Sequence, residues 1–183
     1  MLLLTGCVPQ SPSAPALFFW GAAGTGKTTV ARLLNPDATT HINASDLDDR
    51  ELKSSGFQGL LSSLPVTSTH RNRRRVVILD EADALTERAQ QSLRSILEQY
   101  APVTWFVFVV NDKERIIEPL LSRTYSIGFG FYDEEMNDLM VGRCMEILEK
   151  EKRTMTKLDV EDLVRRFEPD MRQILIQLQA RSS

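Results

Sequence analysis

Residues 21–28 read Gly21-Ala22-Ala23-Gly24-Thr25-Gly26-Lys27-Thr28 and decide the fold, because their spacing fits G-x-x-x-x-G-K-[ST]. An apolar run, Ala16 to Trp20, precedes the stretch and predicts a short buried strand. An amphipathic helical pattern begins at Thr29 and ends before Pro36. Glycines let backbone N–H groups surround phosphate beside a helix N-terminus, where the helix dipole favours negative charge. The sequence therefore predicts a strand, loop and helix that bind nucleotide phosphate.

Two side chains of this loop have specific predicted roles. Lys27 is expected to reach the β- and γ-phosphates, and Thr28 to offer its hydroxyl to Mg²⁺. The alternative interpretation is a glycine-rich turn carrying a surface lysine. The residues predicted to contact the nucleotide are Gly21, Ala22, Ala23, Gly24, Thr25, Gly26, Lys27, Thr28 and Thr29.

The composition is that of an ordinary globular chain. Its 183 residues, 42% of them apolar, allow one sizeable core and a small appended domain. With a net charge of -3, nucleic-acid binding would need a local basic surface. Cys7, Cys144, His41 and His70 lack disulfide or zinc-ligand spacing, which favours a reducing, intracellular setting. No apolar run reaches membrane-spanning length, so no membrane partner is expected.

Apolar and β-branched runs alternate with helical patterns up to residue 131, which predicts an α/β fold with a parallel sheet flanked by helices. Beyond that point the strand signal disappears and only helical patterns follow. We therefore expect a loose lead-in at 1–15, a nucleotide-binding core at 16–131 and a small all-helical domain at 132–183. After the first strand, the predicted strands are Thr39–Asn43, Val76–Leu79, Val103–Val110 and Tyr125–Phe131. The later predicted helices are Thr86–Tyr100, Lys113–Leu121, Asp133–Lys152, Lys157–Phe167 and Met171–Ala180, the last two opened by Thr156 and Asp170.

Polar residues follow two of the predicted strands. In open α/β sheets ligands collect at the carboxyl ends of strands, so these residues are candidates for one site. Asp80 is placed to hold Mg²⁺ directly or through water, and Glu81 to orient or deprotonate a water that attacks the γ-phosphate. Asn111 can hydrogen-bond both a phosphate oxygen and that water. The alternatives are a helix cap for the acidic pair and a turn residue for Asn111.

Two arginines are further candidates. Arg123 follows Ser122 before the last strand, where a guanidinium can serve as a finger toward a neighbouring subunit's γ-phosphate. From the residues alone, a solvated surface arginine is the simpler interpretation. Arg172 lies in the first turn of the last helix, where the helix dipole disfavours a cation, so phosphate is a plausible partner.

Taken together, these residues resemble the AAA+ clamp-loader family, the small subunits of replication factor C and the equivalent phage clamp loaders. The resemblance spans nearly the whole chain, and the order and spacing of its motifs make it specific. The matching residues are Asn43-Ala44-Ser45-Asp46, Asp80 to Thr86, Ala89-Gln90, Leu93-Arg94, Asn111, Arg115 to Pro119, Ser122-Arg123, Asp170 to Gln173 and Leu178-Gln179.

The resemblance implies a P-loop NTPase of the AAA+ type with a helical lid, ATP and Mg²⁺. It implies that Asp80 and Glu81 form the Walker B pair, that Asn111 is sensor 1, and that Arg172 is sensor 2. Arg123 would act in trans on a neighbouring subunit. The implied partners are other clamp-loader subunits, a sliding clamp and primer-template DNA.

The resemblance also gives roles to the helix that follows the Walker B pair. Gln90 and Arg94 would lie on a helix that couples nucleotide to DNA. Leu97 and Tyr100 would face the clamp, with core packing as the alternative.

The chain departs from the family pattern in several places. Thr124 stands where the family has cysteine, a change that should be tolerated. Leu47-Asp48-Asp49-Arg50 adds negative charge where the family contacts DNA phosphates, which puts that contact in doubt. Arg71 and Arg73 to Arg75 form a basic run that could contact phosphate or stand in a solvated loop. The resemblance also implies an adenine-contacting N-terminal segment and a helical collar, which the 183 residues do not match; the interpretations are a fragment, a divergent minimal form or a product that cannot assemble alone.

The primary hypothesis is an ATPase subunit of a sliding-clamp loader, active within an assembly, in a prokaryotic or infected-host cytoplasm or a eukaryotic nucleus. A nucleotide-binding interaction module without independent turnover is the first alternative. A small nucleotide kinase is the second, since the loop motif also occurs in such enzymes.

Overall fold

The computed structural model describes residues 16–54, 57, 59, 61, 75–130 and 134–182. The lead-in at 1–15, His70, and three arginines of the basic run, Arg71, Arg73 and Arg74, lie outside these residues. The chain divides into two compact units. The first takes in the described residues up to 20 and from 28 to 127, and the second takes in residues 21–27 and those from 128 onward.

A five-stranded sheet organises the first unit, in the order β2-β3-β4-β1-β5. The pairs β1 with β4, β2 with β3, and β3 with β4 are parallel. The predicted α/β class with a parallel sheet is confirmed; β2 has the predicted bounds, and the ends of the other strands differ from the predicted ones by at most two residues. Their bounds are β1 Ala16–Gly21, β2 Thr39–Asn43, β3 Arg75–Asp80, β4 Thr104–Val110 and β5 Thr124–Phe129.

The central strands β3 and β4 are buried along almost their whole length, as their continuous apolar runs predict. The prediction that Arg75 contacts phosphate or stands in a solvated loop is wrong. Arg75 is the first residue of β3, is buried, and donates from Nε to Thr104 Oγ1 at 2.6 Å. Burial lowers the pKa of its guanidinium, and Tyr100, whose ring centroid is 5.9 Å away, partly opposes that shift.

Among the described residues, the helices of the first unit or at its edge include α1 Lys27–Leu33, α2 Asp49–Lys53, α3 Glu87–Tyr100 and α4 Glu118–Leu121. The predicted helix from Thr86 is confirmed in α3, where the Thr86 hydroxyl caps the start by accepting from Ala89 N. Apolar residues of α3 join the core formed by the sheet. The fully buried among them are Ala89, Leu93 and Leu97.

The prediction of one helix over Lys113–Leu121 is wrong, because the segment forms a 3-10 turn, Lys113–Arg115, and then the short α4. Pro119 has no N–H and fits only the first turn of a helix, so α4 begins just before it. Asp112 accepts from Glu114 N at 3.0 Å and stabilises the separate turn.

In the described part of the second unit, residues 134–182 form the helices α5 Glu134–Lys150, α6 Lys157–Phe167 and α7 Met171–Arg181. The predicted caps are confirmed, since Thr156 and Asp170 accept from the backbone N–H three residues on. Burial raises the pKa of the Cys144 thiol. The apolar core of this unit is formed by Val141, Cys144, Leu148, Val160, Leu163, Val164, Ile174 and Leu178. Among the described helices, none is both long and apolar enough to cross a membrane.

Candidate functional site

The phosphate loop, residues 21–27, is a backbone structure that depends on glycine. Gly24 and Gly26 have φ angles of +73° and +90°, a region that other residues rarely adopt. A Cβ on Gly24 would lie 1.8 Å from Asp170 Oδ1, whereas one on Gly26 would meet no atom within 4 Å. The loop therefore needs glycine at residue 24 for space as well as for conformation.

Lys27 is the buried cation of this loop. The residue is only 5% exposed, and Nζ donates to the carbonyl oxygens of Gly21 at 2.7 Å and Ala22 at 2.6 Å. Lys27 is also the first residue of α1, so the ammonium group and the helix N-terminus share one end of the loop. Both features attract an anion such as phosphate.

The N-terminus of α7 lies against the same loop. Met171 N donates to Gly24 O at 3.2 Å, and the Asp170 side chain is the group that a Cβ on Gly24 would meet. Arg172, the next residue of α7, is exposed. Arg172 therefore follows directly after a residue that contacts the phosphate loop, and its role as sensor 2 stays a prediction.

An open cavity of about 450 Å³ borders the loop within the second unit. Apolar side chains form most of its wall, with Thr25 and Arg143 as polar members. Two of the apolar residues, Met136 and Leu139, are 42% and 62% exposed. Such a wall suits a flat, largely apolar ring system. The lining residues are Thr25, Gly128, Phe129, Gly130, Met136, Leu139, Met140, Arg143, Pro169 and Met171.

In the first unit, Asp80 gathers three neighbours, and we call the four residues Thr28, His41, Asp80 and Glu81 the Asp80 cluster. Asp80 Oδ2 accepts from Thr28 Oγ1 at 3.1 Å, and Oδ1 accepts from Glu81 N at 3.1 Å. A hydroxyl and a carboxylate so close together are the hard oxygen donors that Mg²⁺ prefers. The side chains predicted to hold the metal therefore fit it.

His41 is a member of the cluster that the sequence reasoning missed. Its Nε2 lies 3.0 Å from Asp80 Oδ2, because β2 and β3 pair in parallel with Asn43 opposite Asp80. Residues two apart on a strand share a face, so His41 lies on the same face as Asn43. That register is set by the sheet, and no local pattern in the sequence indicates it.

Glu81 has an unusual backbone for a residue with a long side chain. Its φ and ψ are 55° and 38°, in the left-handed region that favours glycine. It precedes the 3-10 turn Ala82–Ala84, but its carboxylate does not cap that turn. The capping alternative for Glu81 is therefore wrong. Backbone strain of this kind is concentrated at functional positions. Glu81 is also exposed, directly after the last residue of β3.

Asn111 stands at the end of β4, as predicted, and is exposed. Its backbone N–H donates to Asp83 Oδ2 at 3.3 Å, and the N–H of Asp112 donates to the same oxygen at 3.2 Å. The turns that follow β3 and β4 are thus joined through Asp83. The structure brings Glu81 and Asn111 to neighbouring turns of one sheet edge.

A family model described as "ATPase family associated with various cellular activities (AAA)" matches residues 17–130. The chain belongs to the AAA family of ATPases. It is 34% identical over 182 residues to replication factor C subunit 4 of Oryza sativa, covering 94% of this chain and 52% of that protein. It is also 34% identical over 185 residues to the replication factor C small subunit of Sulfolobus acidocaldarius, covering 95% and 54%.

The chain thus spans about half the length of these curated relatives. A solved structure, a DNA polymerase III gamma subunit-related protein from Thermotoga maritima, matches 75% of this chain and 48% of its own with a TM-score of 0.54. At 13% identity this likeness concerns the fold alone, and it agrees with the AAA sheet described above.

The predicted finger of this AAA domain, Arg123, has fixed partners. Nε donates to Glu98 Oε1 at 2.9 Å, and Nη1 donates to Pro119 O at 2.8 Å. The next residue, Thr124, donates to Leu121 O at 2.8 Å, so the hydroxyl at this departure from the family pattern has its own hydrogen bond. Arg123 is therefore directed by α3 and α4, with 30% of its side chain exposed.

Gln90 ties α3 to the loop after β4. Its amide is buried, with Nε2 donating to the carbonyls of Leu85 at 3.0 Å and Arg115 at 2.9 Å and Oε1 accepting from Ile117 N at 2.8 Å. Three hydrogen bonds from this side chain therefore connect Leu85, just before α3, with the loop that follows β4. Sequence reasoning placed Gln90 on the right helix but did not find these partners.

Leu97 and Tyr100, the residues predicted to face the clamp, lie near the C-terminal end of α3. Leu97 is fully buried in the core of the first unit, which confirms the core-packing alternative for that residue. Tyr100 is half-buried and packs at the edge of the same core. Leu97 is therefore not available to a partner in this fold.

The acidic departure near α2 has a local explanation. Asp48 Oδ1 accepts from the backbone N–H groups of Arg50 and Glu51, both at 2.7 Å. Glu51 Oε2 in turn accepts from Asp48 N at 2.9 Å, which completes a capping box. One of the two aspartates therefore starts a helix.

Proposed function

We propose that this chain is an ATPase subunit of a DNA sliding-clamp loader. The observation that carries the proposal is the hydrogen bond between Thr28 and Asp80, because it joins the helix that follows the phosphate loop to the end of β3, directly before Glu81. The similarity to replication factor C subunits over nearly the whole chain supports the clamp-loader assignment. Loading of a clamp on primer-template DNA is the activity that we infer for the assembly.

The phosphate loop binds the triphosphate of ATP in this proposal. Backbone N–H groups and the Lys27 ammonium face the β- and γ-phosphates, whose oxygens replace the carbonyls of Gly21 and Ala22 as acceptors. The apolar cavity beside the loop receives the adenine base. Thr28 and Asp80 hold Mg²⁺, which neutralises phosphate charge when bound.

Hydrolysis depends on residues at the strand ends. Glu81 orients or deprotonates the attacking water, and its exposed carboxylate is free of a capping role. Asn111 orients that water and contacts the γ-phosphate. Arg172, next to Met171 at the loop, stabilises the charge of the transferring phosphoryl group as sensor 2.

Arg123 acts in trans, on ATP bound by a neighbouring subunit. Its pairing with Glu98 and Pro119 gives the guanidinium a defined direction before a neighbour binds. The proposed division is an AAA core at 16–131 and a helical lid at 132–183. The other partners are further clamp-loader subunits, the sliding clamp and DNA.

A subunit-mixing experiment tests the trans arrangement. Lys27→Ala disables the chain's own site, and Arg123→Ala disables the finger it offers to a neighbour. In an assembly containing both variants, one junction combines the intact site of the Arg123→Ala chain with the intact finger of the Lys27→Ala chain. We expect ATP hydrolysis, measured with sliding clamp and primer-template DNA, to be lost in each variant alone and to return on mixing.

Other outcomes identify the alternatives. If mixing restores nothing while wild type is active, Arg123 acts in cis or is structural. If wild type binds ATP with Mg²⁺ but shows no turnover with clamp and DNA, the chain is a nucleotide-binding interaction module. Phosphorylation of a nucleoside monophosphate would instead identify a small kinase.

A further inference from the structure

Asp83 occupies a position that links the two strand-end turns. It belongs to the 3-10 turn Ala82–Ala84, which begins immediately after Glu81. Asp83 Oδ2 accepts the backbone N–H groups of Asn111 at 3.3 Å and Asp112 at 3.2 Å. One carboxylate oxygen therefore connects the turn that carries the proposed base to the turn that carries the proposed sensor.

Burial does not explain this connection. Asn111 and Asp112 are exposed, and exposed N–H groups can donate to water at little cost. The loop after β4 is also attached to the end of the Asp83 turn by Gln90, which binds Leu85 O and Arg115 O. What the carboxylate adds is a fixed position for the first residues of that loop.

We propose that Asp83 is a positioning residue that sets Asn111 relative to Glu81 for ATP hydrolysis. This inference rests on the proposed function. Glu81 has a left-handed backbone and Asn111 is the first residue after β4, so neither has regular secondary structure to fix its side chain. Small displacements of catalytic groups cost about a hundredfold in rate, and Asp83 prevents such a displacement.

The test compares Asp83→Ala and Asp83→Asn with a matched control, Asp37→Ala. Asp37 is also the second residue of a 3-10 turn, Pro36–Ala38, and is exposed. Three quantities are measured on the full chain: hydrogen exchange of the Asn111 and Asp112 amides by NMR, the Kd for ATP with Mg²⁺, and the rate of ATP hydrolysis. The Asn111 side-chain NH₂ resonance is followed as Mg²⁺ and a non-hydrolysable ATP analogue are added.

For Asp83→Ala we expect the hydrogen-exchange rate of the Asn111 and Asp112 amides to rise about tenfold, because each amide loses a hydrogen bond to a charged group. Hydrolysis should fall between about tenfold and a hundredfold, while the Kd for ATP stays within about twofold of wild type, since loop contacts are intact. The nucleotide-dependent shift of the Asn111 NH₂ should be lost. Asp83→Asn, which keeps an acceptor oxygen, should recover most of each effect, and Asp37→Ala should show none.

Several results would overturn the inference. Equal rates of ATP hydrolysis in wild type and Asp83→Ala would rule out the positioning role of Asp83 and leave the proposed function intact. Faster amide exchange throughout the sheet in Asp83→Asn indicates a purely structural role. If wild type binds but does not hydrolyse ATP, the NMR readout decides: a nucleotide-dependent Asn111 NH₂ shift that is the same in Asp83→Ala as in wild type would rule out the positioning role. A wild-type chain that binds no ATP overturns the proposed function and this inference together.

Discussion

The phosphate loop is built from backbone, whereas the Asp80 cluster is built from side chains. In the loop, Gly24 and Gly26 take left-handed conformations, and the Lys27 ammonium donates to the carbonyl oxygens of Gly21 and Ala22, six and five residues away along the chain. In the cluster, Asp80 meets Thr28 and His41, which are 52 and 39 residues away along the chain.

This contrast predicts which substitutions each region should tolerate. A loop made of backbone is sensitive to any Cβ at its glycines but needs few particular side chains. A cluster made of distant side chains depends on sheet register and on residues that hold its turns, such as Asp83 and Gln90. Substitutions in the cluster should therefore be able to change the hydrolysis rate without changing stability, whereas substitutions in the loop should change both.

Glu81→Gln should change activity most, because loss of general-base catalysis should lower the hydrolysis rate about a thousandfold. ATP affinity should remain within about twofold, since the loop is unchanged. Rapid-quench measurement of ADP formation, alongside equilibrium titration of ATP, checks both. Comparable loss of binding and turnover would contradict the separation.

Glu81→Gly provides the matched comparison. Glycine relieves the left-handed strain at this position, so Glu81→Gly should be more stable than Glu81→Ala by about 1 kcal/mol in urea unfolding. Both variants should lack hydrolysis. Equal stability would mean that the backbone at Glu81 is not strained.

Next in size is Lys27→Ala, which should weaken ATP binding about a hundredfold, because it removes charge-assisted hydrogen bonds to phosphate. The measurement is the ATP-dependent rise in melting temperature together with direct titration. Lys157→Ala is the control. Lys157 is an exposed lysine at the start of α6, and its Nζ lies 3.6 Å from Glu161 Oε1. Unimpaired binding in Lys27→Ala would show that the loop alone is sufficient.

The same contrast explains what could be predicted from the sequence. The phosphate loop and its neighbouring strand and helix are contiguous, so a single stretch of residues contains all the information. Asp80, Glu81 and Asn111 were predicted because each directly follows a buried apolar strand. His41 and Asp83 were missed because their partners lie in other elements, brought close only by strand pairing.

The errors of the fold prediction have local causes. Lys113–Leu121 has helical periodicity, but Pro119 and the Asp112 cap divide it. Arg75 looked like part of a solvated basic run, yet its hydrogen bond to Thr104 and its contact with Tyr100 allow its burial. In both cases a tertiary or capping interaction overrides the residue's usual tendency.

Another prediction concerns the stability of the turns next to the Asp80 cluster. Gln90→Leu leaves two carbonyls and one N–H without their amide partner, which should lower the free energy of unfolding by about 2–4 kcal/mol. Gln91→Leu is the matched control, because Gln91 is the exposed neighbour on the same helix, and it should change stability by less than about 0.5 kcal/mol. Chemical denaturation of both variants is the measurement. Similar values for the two would mean that the Gln90 hydrogen bonds add little to folding.

The smallest effect, and the sharpest test of the loop, is the difference between two glycine substitutions. Gly24→Ala and Gly26→Ala both place a Cβ on a left-handed backbone, which costs about 1 kcal/mol in each. Only at Gly24 does that Cβ also meet Asp170, at 1.8 Å from Oδ1 and 3.0 Å from Cα. Gly24→Ala should therefore unfold more easily than Gly26→Ala by a further margin of about 1–2 kcal/mol. Equal stabilities in urea unfolding would mean that Asp170, and the α7 N-terminus with it, moves away from Gly24 at little cost. The placement of Arg172 beside the loop would then lose its support.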